Sequence, residues 1–265
     1  TSTTTGTILC GGNPVGTNCN SSGGTNAFSG TVKLTTTGSS ADASVDNGTT
    51  ALEIAAGSSV GGDLTIVSGN ALGITDEGTL TVGGNLSATT DAGNGIITLN
   101  ELTLTGTISL ATNDAANNNT GHAIVINSTG LKFADIRVEG NLHATASNGA
   151  VTQRNTSGVQ LGEMDVEGTT TIVVSTANDV TLDIPSNDFT GAVSITGSAN
   201  DITIKDINAI NLGAVAAARD YSVSAGGAIT DSGAQVITGA ATFVTDGDLP
   251  TLTVGSTSNA YEVGE

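Results

Sequence analysis

Val60-Gly61-Gly62-Asp63-Leu64-Thr65-Ile66 returns as Val82-Gly83-Gly84-Asn85-Leu86-Ser87-Ala88. It returns again, more loosely, as Leu104-Thr105-Gly106-Thr107-Ile108-Ser109-Leu110. The anchoring glycines at 62, 84 and 106 stand 22 residues apart. A fixed period of this length, written in alternating β residues, is the mark of a β-solenoid. Period-two alternation puts Leu64, Ile66, Leu80, Val82, Leu102 and Leu104 on an inner face and Thr, Ser, Asp or Asn on an outer one. So short a segment cannot bury its inner face alone, but it can when stacked on a copy of itself. Glycine is expected at the corners because it accepts positive φ without penalty.

The phrase apolar-x-Gly-x-apolar-x-apolar can be followed at Gly30, Gly62, Gly84, Gly106, Gly140, Gly168, Gly191, Gly213 and Gly239. Its spacing is never below 22 residues, which reads as one coil plus corner insertions. The longest insertion holds the polar tract Asn113–Thr120, expected to loop outward. Pro14, Pro185 and Pro250 belong at corners, since every interior strand of a solenoid has neighbours above and below.

Composition agrees with a thin interior filled by Val, Ile, Leu and Ala. Aromatic residues make up only 2% of the 265-residue chain, and there is no Trp. The balance of 6 basic against 25 acidic residues, net −19, repels nucleic-acid phosphates and anionic lipid. No run of 18 apolar residues is present to span a membrane. The first residues, Thr1-Ser2-Thr3, suit a processed product or a defined fragment.

Residues 1–27 differ in character from the rest of the chain. They hold both cysteines, in Cys10-Gly-Gly-Asn-Pro-Val-Gly-Thr-Asn-Cys19. A disulfide across so flexible a loop stabilises by roughly 2.5–3 kcal/mol and implies an oxidising compartment. This segment reads as a disulfide-closed cap or docking segment ahead of a solenoid over residues 28–265.

From about Asn178 the phrasing resembles the repeats of filamentous-haemagglutinin-like large exoproteins and adhesins. The resemblance is carried by Asn178-Asp-Val-Thr-Leu-Asp183, Asn187-Asp-Phe-Thr-Gly-Ala-Val-Ser-Ile-Thr196, Gly226-Gly-Ala-Ile-Thr-Asp-Ser-Gly233 and Val236-Ile-Thr-Gly-Ala-Ala-Thr-Phe243. It covers roughly residues 28–254. It implies a right-handed parallel β-helix, secretion from a bacterial cell, and a role in adhesion or fibre building. It implies no catalytic residues.

Candidate chemistry is sparse. His122 and His143 read as surface histidines. Asp246 and Asp248, and Asp76 with Glu77, are candidate calcium ligands, although no repeated calcium motif accompanies them. Arg137, Arg154 and Arg219 are isolated along the sequence, and the carboxylates look scattered, which argues against a sugar-cleaving constellation. Asn20, Asn47, Asn118, Asn127 and Asn155 open glycosylation sequons; Asn85 opens another inside a repeat strand. The expected protein is a non-enzymatic, secreted structural or adhesive solenoid without a cofactor. Its partners are its own copies end to end or the rest of a longer adhesin, and a surface glycan or protein receptor. The alternatives are a carbohydrate-active β-helix enzyme and a calcium-stabilised stalk.

Overall fold

A computed structural model describes residues 26–90, 95–112, 120–153 and 162–245, with the backbone of the short strands Ser2–Thr4, Ile8–Cys10 and Leu252–Thr253. The fold is an all-β parallel β-solenoid of about 9 turns, with about 22 residues per turn. Two units make up the chain: Thr1–Thr129 with Val138–Gly140, and Gly130–Arg137 with Asn141–Glu265.

In the first unit each coil gives one strand to each of three columns. Leu34–Thr36, Ser58–Val60, Leu80–Val82 and the second half of Ile97–Leu104 form one column. Ala43–Asp46, Leu64–Ser68, Leu86–Thr90 and Ile108–Thr112 form the next. Leu52–Ile54, Ile74–Asp76, the first half of Ile97–Leu104 and Ala123–Asn127 form the third. The sequence period is the pairing register, with Leu64 opposite Leu86 and Leu86 opposite Ile108. Ser2–Thr4 and Ile8–Cys10 pair in parallel with Leu34–Thr36 and Ala43–Asp46, so two columns reach into the segment before residue 28.

The second unit repeats the principle with longer strands, including Thr170–Leu182 and Val193–Asp206. These two pair along most of their length, with register shifts between Val174 and Val180. Val151, Val180, Ile202, Tyr221 and Ala241 follow one another up one column. Pro185 lies in an exposed turn between strands, as expected of a proline here.

The inward residues anticipated from the alternation (Leu64, Ile66, Leu80, Val82, Leu102 and Leu104) are all buried. Leu64 stacks between Ala43 and Leu86. Each such aliphatic side chain contributes about 1.5–3 kcal/mol by leaving water. Polar groups at one inner corner of the first unit have partners. In the column Ser68–Thr90–Thr112 the hydroxyls donate to the carbonyls of Thr50 (3.0 Å), Gly95 (2.9 Å) and Gly121 (2.7 Å).

One expectation about glycine needs correction: the repeat glycines are not at positive φ. That conformation belongs to Gly38, Gly48, Gly57, Gly73, Gly149 and Gly197. Gly62, Gly84 and Gly106 are required because successive corners nearly touch. A Cβ on Gly84 would lie 2.6 Å from the Gly62 carbonyl carbon, and one on Gly106 2.5 Å from that of Gly84. The nine glycines do not form one column. The position below Gly62 is held by Ala41, whose carbonyl accepts the Gly62 N–H at 3.1 Å, while a Cβ on Gly30 would meet nothing within 4 Å. Gly213 lies beside Ser194 within strand Ile210–Ala218, and Gly239 packs on Arg219 and Asp220 at another corner.

Candidate functional site

In the first unit the residues after Ala41, Gly62, Gly84 and Gly106 form a polar column. The backbone N–H of Asp63 donates to Asp42 Oδ1 at 2.8 Å, and that of Asn85 to Asp63 Oδ1 at 2.7 Å. Thr107 donates both its N–H (3.0 Å) and its hydroxyl (2.9 Å) to Asn85 Oδ1. The N–H groups of the corner glycines Gly62 and Gly84 donate to backbone carbonyls of the neighbouring coil, and for the residue that follows a short side chain with an oxygen two bonds from Cβ supplies the acceptor. The second unit uses the same device: the Thr169 N–H donates to Asn141 Oδ1 at 2.9 Å, and that of Ala240 to Asp220 Oδ1 at 3.0 Å. Asp76, a calcium candidate by sequence, is also engaged this way. Its two oxygens accept the N–H groups of Asn100 and Glu101, each at 3.1 Å.

Carboxylates that look scattered in sequence meet in the second unit. Strand Met164–Val166 pairs with Asp188–Phe189, placing Asp165 opposite Asp188. Burial pushes the Asp165 carboxyl above its usual range, and the charges of Glu167, Asp188 and Glu163 push the same way, while Arg137 opposes them. Arg137 is therefore within electrostatic reach of Asp165, a correction to its isolation along the sequence. The spacing did carry a signal. Asp165 and Asp188 each precede a repeat glycine, Gly168 and Gly191, by three residues. Arg219 is not isolated either: its guanidinium donates through Nε to Asp201 Oδ1 at 2.8 Å and through Nη2 to Asp201 Oδ2. That bonding and the charge of Asp201 raise its pKa further.

Asp206 lies deeper, 4% exposed. Its Oδ2 accepts the Phe189 N–H at 2.9 Å and its Oδ1 the Asn208 N–H at 2.8 Å. Burial nonetheless pushes its carboxyl up to about 6, because desolvation outweighs the two hydrogen bonds.

The sequon asparagines part company. Asn47 and Asn127 are each 0% exposed. Asn47 Nδ2 donates to the carbonyls of Phe28, Thr50 and Ala51, and Asn127 Nδ2 to Leu104 O at 3.1 Å. In the folded chain neither amide is open to a glycosylating enzyme. The cause is local: a corner that must bury several backbone groups recruits an asparagine to satisfy them. Sequence reading also missed the buried pair Gln153 and Asn187, which exchange amide hydrogen bonds at 2.7 and 2.9 Å. Asn20, Asn118, Asn155, Cys19, Asp246, Asp248 and Arg154 lie outside the described residues, as does the side chain of Cys10. His143 is a half-buried outward residue opposite Thr171, and His122 is half-buried beside Gly140. Among the described residues no group of three or more His, Cys, Asp or Glu could hold a metal ion.

No curated protein and no solved structure matches the chain. Residues 120–196 and 199–260, together just over half of the sequence, match the repeats of unknown function DUF5649. The chain belongs to the DUF5649 repeats, and the matched residues lie after the 22-residue glycine repeats at 62, 84 and 106.

Proposed function

We propose that this chain is a non-enzymatic structural β-solenoid, a segment or subunit of an extracellular bacterial surface fibre. The observation that carries the reading is the corner column of Asp42, Asp63 and Asn85, whose side-chain oxygens each accept from the coil above. Groups that could otherwise bind metal or substrate hold coil to coil instead. The net charge of −19 and the resemblance to filamentous-haemagglutinin-like exoproteins support an exported, adhesive setting. The expected partners are further coils of a longer chain or of another copy, and a glycan or protein receptor on the surface it contacts. The test is retention of purified protein on host cells and matrix, with polysaccharide turnover measured in parallel. Saturable retention without turnover supports the proposal, and turnover without retention removes it. Repeating the retention assay with calcium and with chelator tests a calcium-stabilised stalk, to which Asp246 and Asp248 would contribute.

One observation favours a second reading, a carbohydrate-active β-helix. Asp165 and Asp188 face each other on adjacent strands, with Asp165 raised and Arg137 near it. Paired carboxylates, one of them raised, are what glycoside cleavage uses. Depolymerisation of acidic or neutral polysaccharides that Asp165→Asn abolishes would establish this reading in place of the first.

A further inference from the structure

We infer that Asn148 is a site of spontaneous deamidation in the native chain, with isoaspartate as a product. It is followed by Gly149, in the turn between strands Leu142–Ala146 and Val151–Thr152. Asn148 is exposed. Among the described residues, nothing accepts or donates a hydrogen bond to its side chain or to the Gly149 N–H. Gly149 has no Cβ to shield its nitrogen and sits at φ 147, where other residues are strained.

Those features set the chemistry. The Gly149 backbone nitrogen loses its proton to hydroxide and bonds to Asn148 Cγ. The Cγ–Nδ2 bond breaks, and the –NH2 group takes up one proton from water and leaves as ammonia, regenerating hydroxide. The resulting five-membered succinimide takes up water at either carbonyl and opens to aspartate or to isoaspartate at position 148. No oxidant or partner is consumed. Each event adds a negative charge, and the isoaspartate form inserts a methylene into the turn backbone.

The chain carries its own control in Asn47-Gly48. Both reacting groups there are tied. Asn47 is 0% exposed, its amide is held by the Phe28, Thr50 and Ala51 carbonyls, and the Gly48 N–H donates to Asp46 Oδ1 at 2.9 Å. Asn47 can react only from an opened state, Asn148 from the folded one.

The test is peptide mapping of the intact protein after prolonged incubation at mildly alkaline pH. Deamidation would be read from the amide-to-acid mass change and isoaspartate from enzymatic methyl acceptance. The same chain unfolded in urea gives the intrinsic rate at both positions. In the native protein Asn148 should react at least about tenfold faster than Asn47, while in urea the two converge. Asn148→Gln should abolish the native isoaspartate signal of the peptide that carries position 148, which mapping separates from the peptide with Asn94-Gly95. Equal native rates at the two positions, or a native Asn148 about tenfold slower than in urea, would overturn the assignment.

Discussion

Asp63 and Asn85 hold the same place on successive coils, and the backbone N–H of Asn85 donates to Asp63 Oδ1 at 2.7 Å. Asn85 in turn accepts from Thr107 through its own Oδ1. A carboxylate and an amide thus do the same work, because the corner needs an oxygen and not a charge. The repeat can alternate Asp and Asn there without changing its geometry.

This equivalence predicts a pair of results. Asp63→Ala removes the acceptor for a corner N–H and should lower stability by about 1 kcal/mol. Asp63→Asn keeps the oxygen and should leave the urea midpoint close to that of the parent. Equal losses for the two variants would show that charge, not the hydrogen bond, matters at this position.

Gly84→Ala should destabilise by about 1–3 kcal/mol, because the added methyl must push two coils apart. Gly30→Ala, where a Cβ meets nothing within 4 Å, should be nearly neutral. Thermal melts of both variants check this. A tolerant Gly84 would mean that the corners do not approach as closely as the register requires.

Asp206 predicts a pH dependence. Its folded carboxyl is raised to about 6, so the folded state holds the proton more tightly than the unfolded chain does. The stability this contributes is complete below the ordinary carboxylate range and is lost as pH rises through about 6. The loss is on the order of 2 kcal/mol after allowance for solvent. Comparing melting temperatures at acidic and neutral pH isolates the term, because Asp206→Asn should flatten the slope. An unchanged slope would assign it to other carboxylates.

Cys10 and Cys19 should be joined within one chain. Mass spectrometry before and after reduction should show the gain of two hydrogens, and opening the loop should cost roughly 2.5–3 kcal/mol. Free thiols in untreated protein would argue against both the bridge and an oxidising compartment.

Much of the fold was legible because a solenoid writes its register into its sequence. The 22-residue spacing of Gly62, Gly84 and Gly106 is the spacing of their strands, and the alternation around Leu64 gave its burial. What sequence could not supply is which glycine faces which. Ala41 replaces glycine below Gly62, and Gly213 has the right flanking residues but lies in a strand. The candidate site was hidden for a related reason. Asp165 and Asp188 are 23 residues apart, and only the register of that coil shows that they meet. Asn47 and Asn127 looked like surface acceptors because a sequon does not record that its asparagine is turned inward to close a corner.

The most direct test of the account is where the protein resides. Immunogold electron microscopy of intact producing cells, with antibody to this chain, should place gold along structures projecting from the cell surface. Gold confined to the cell interior, with the surface bare, would contradict an extracellular fibre.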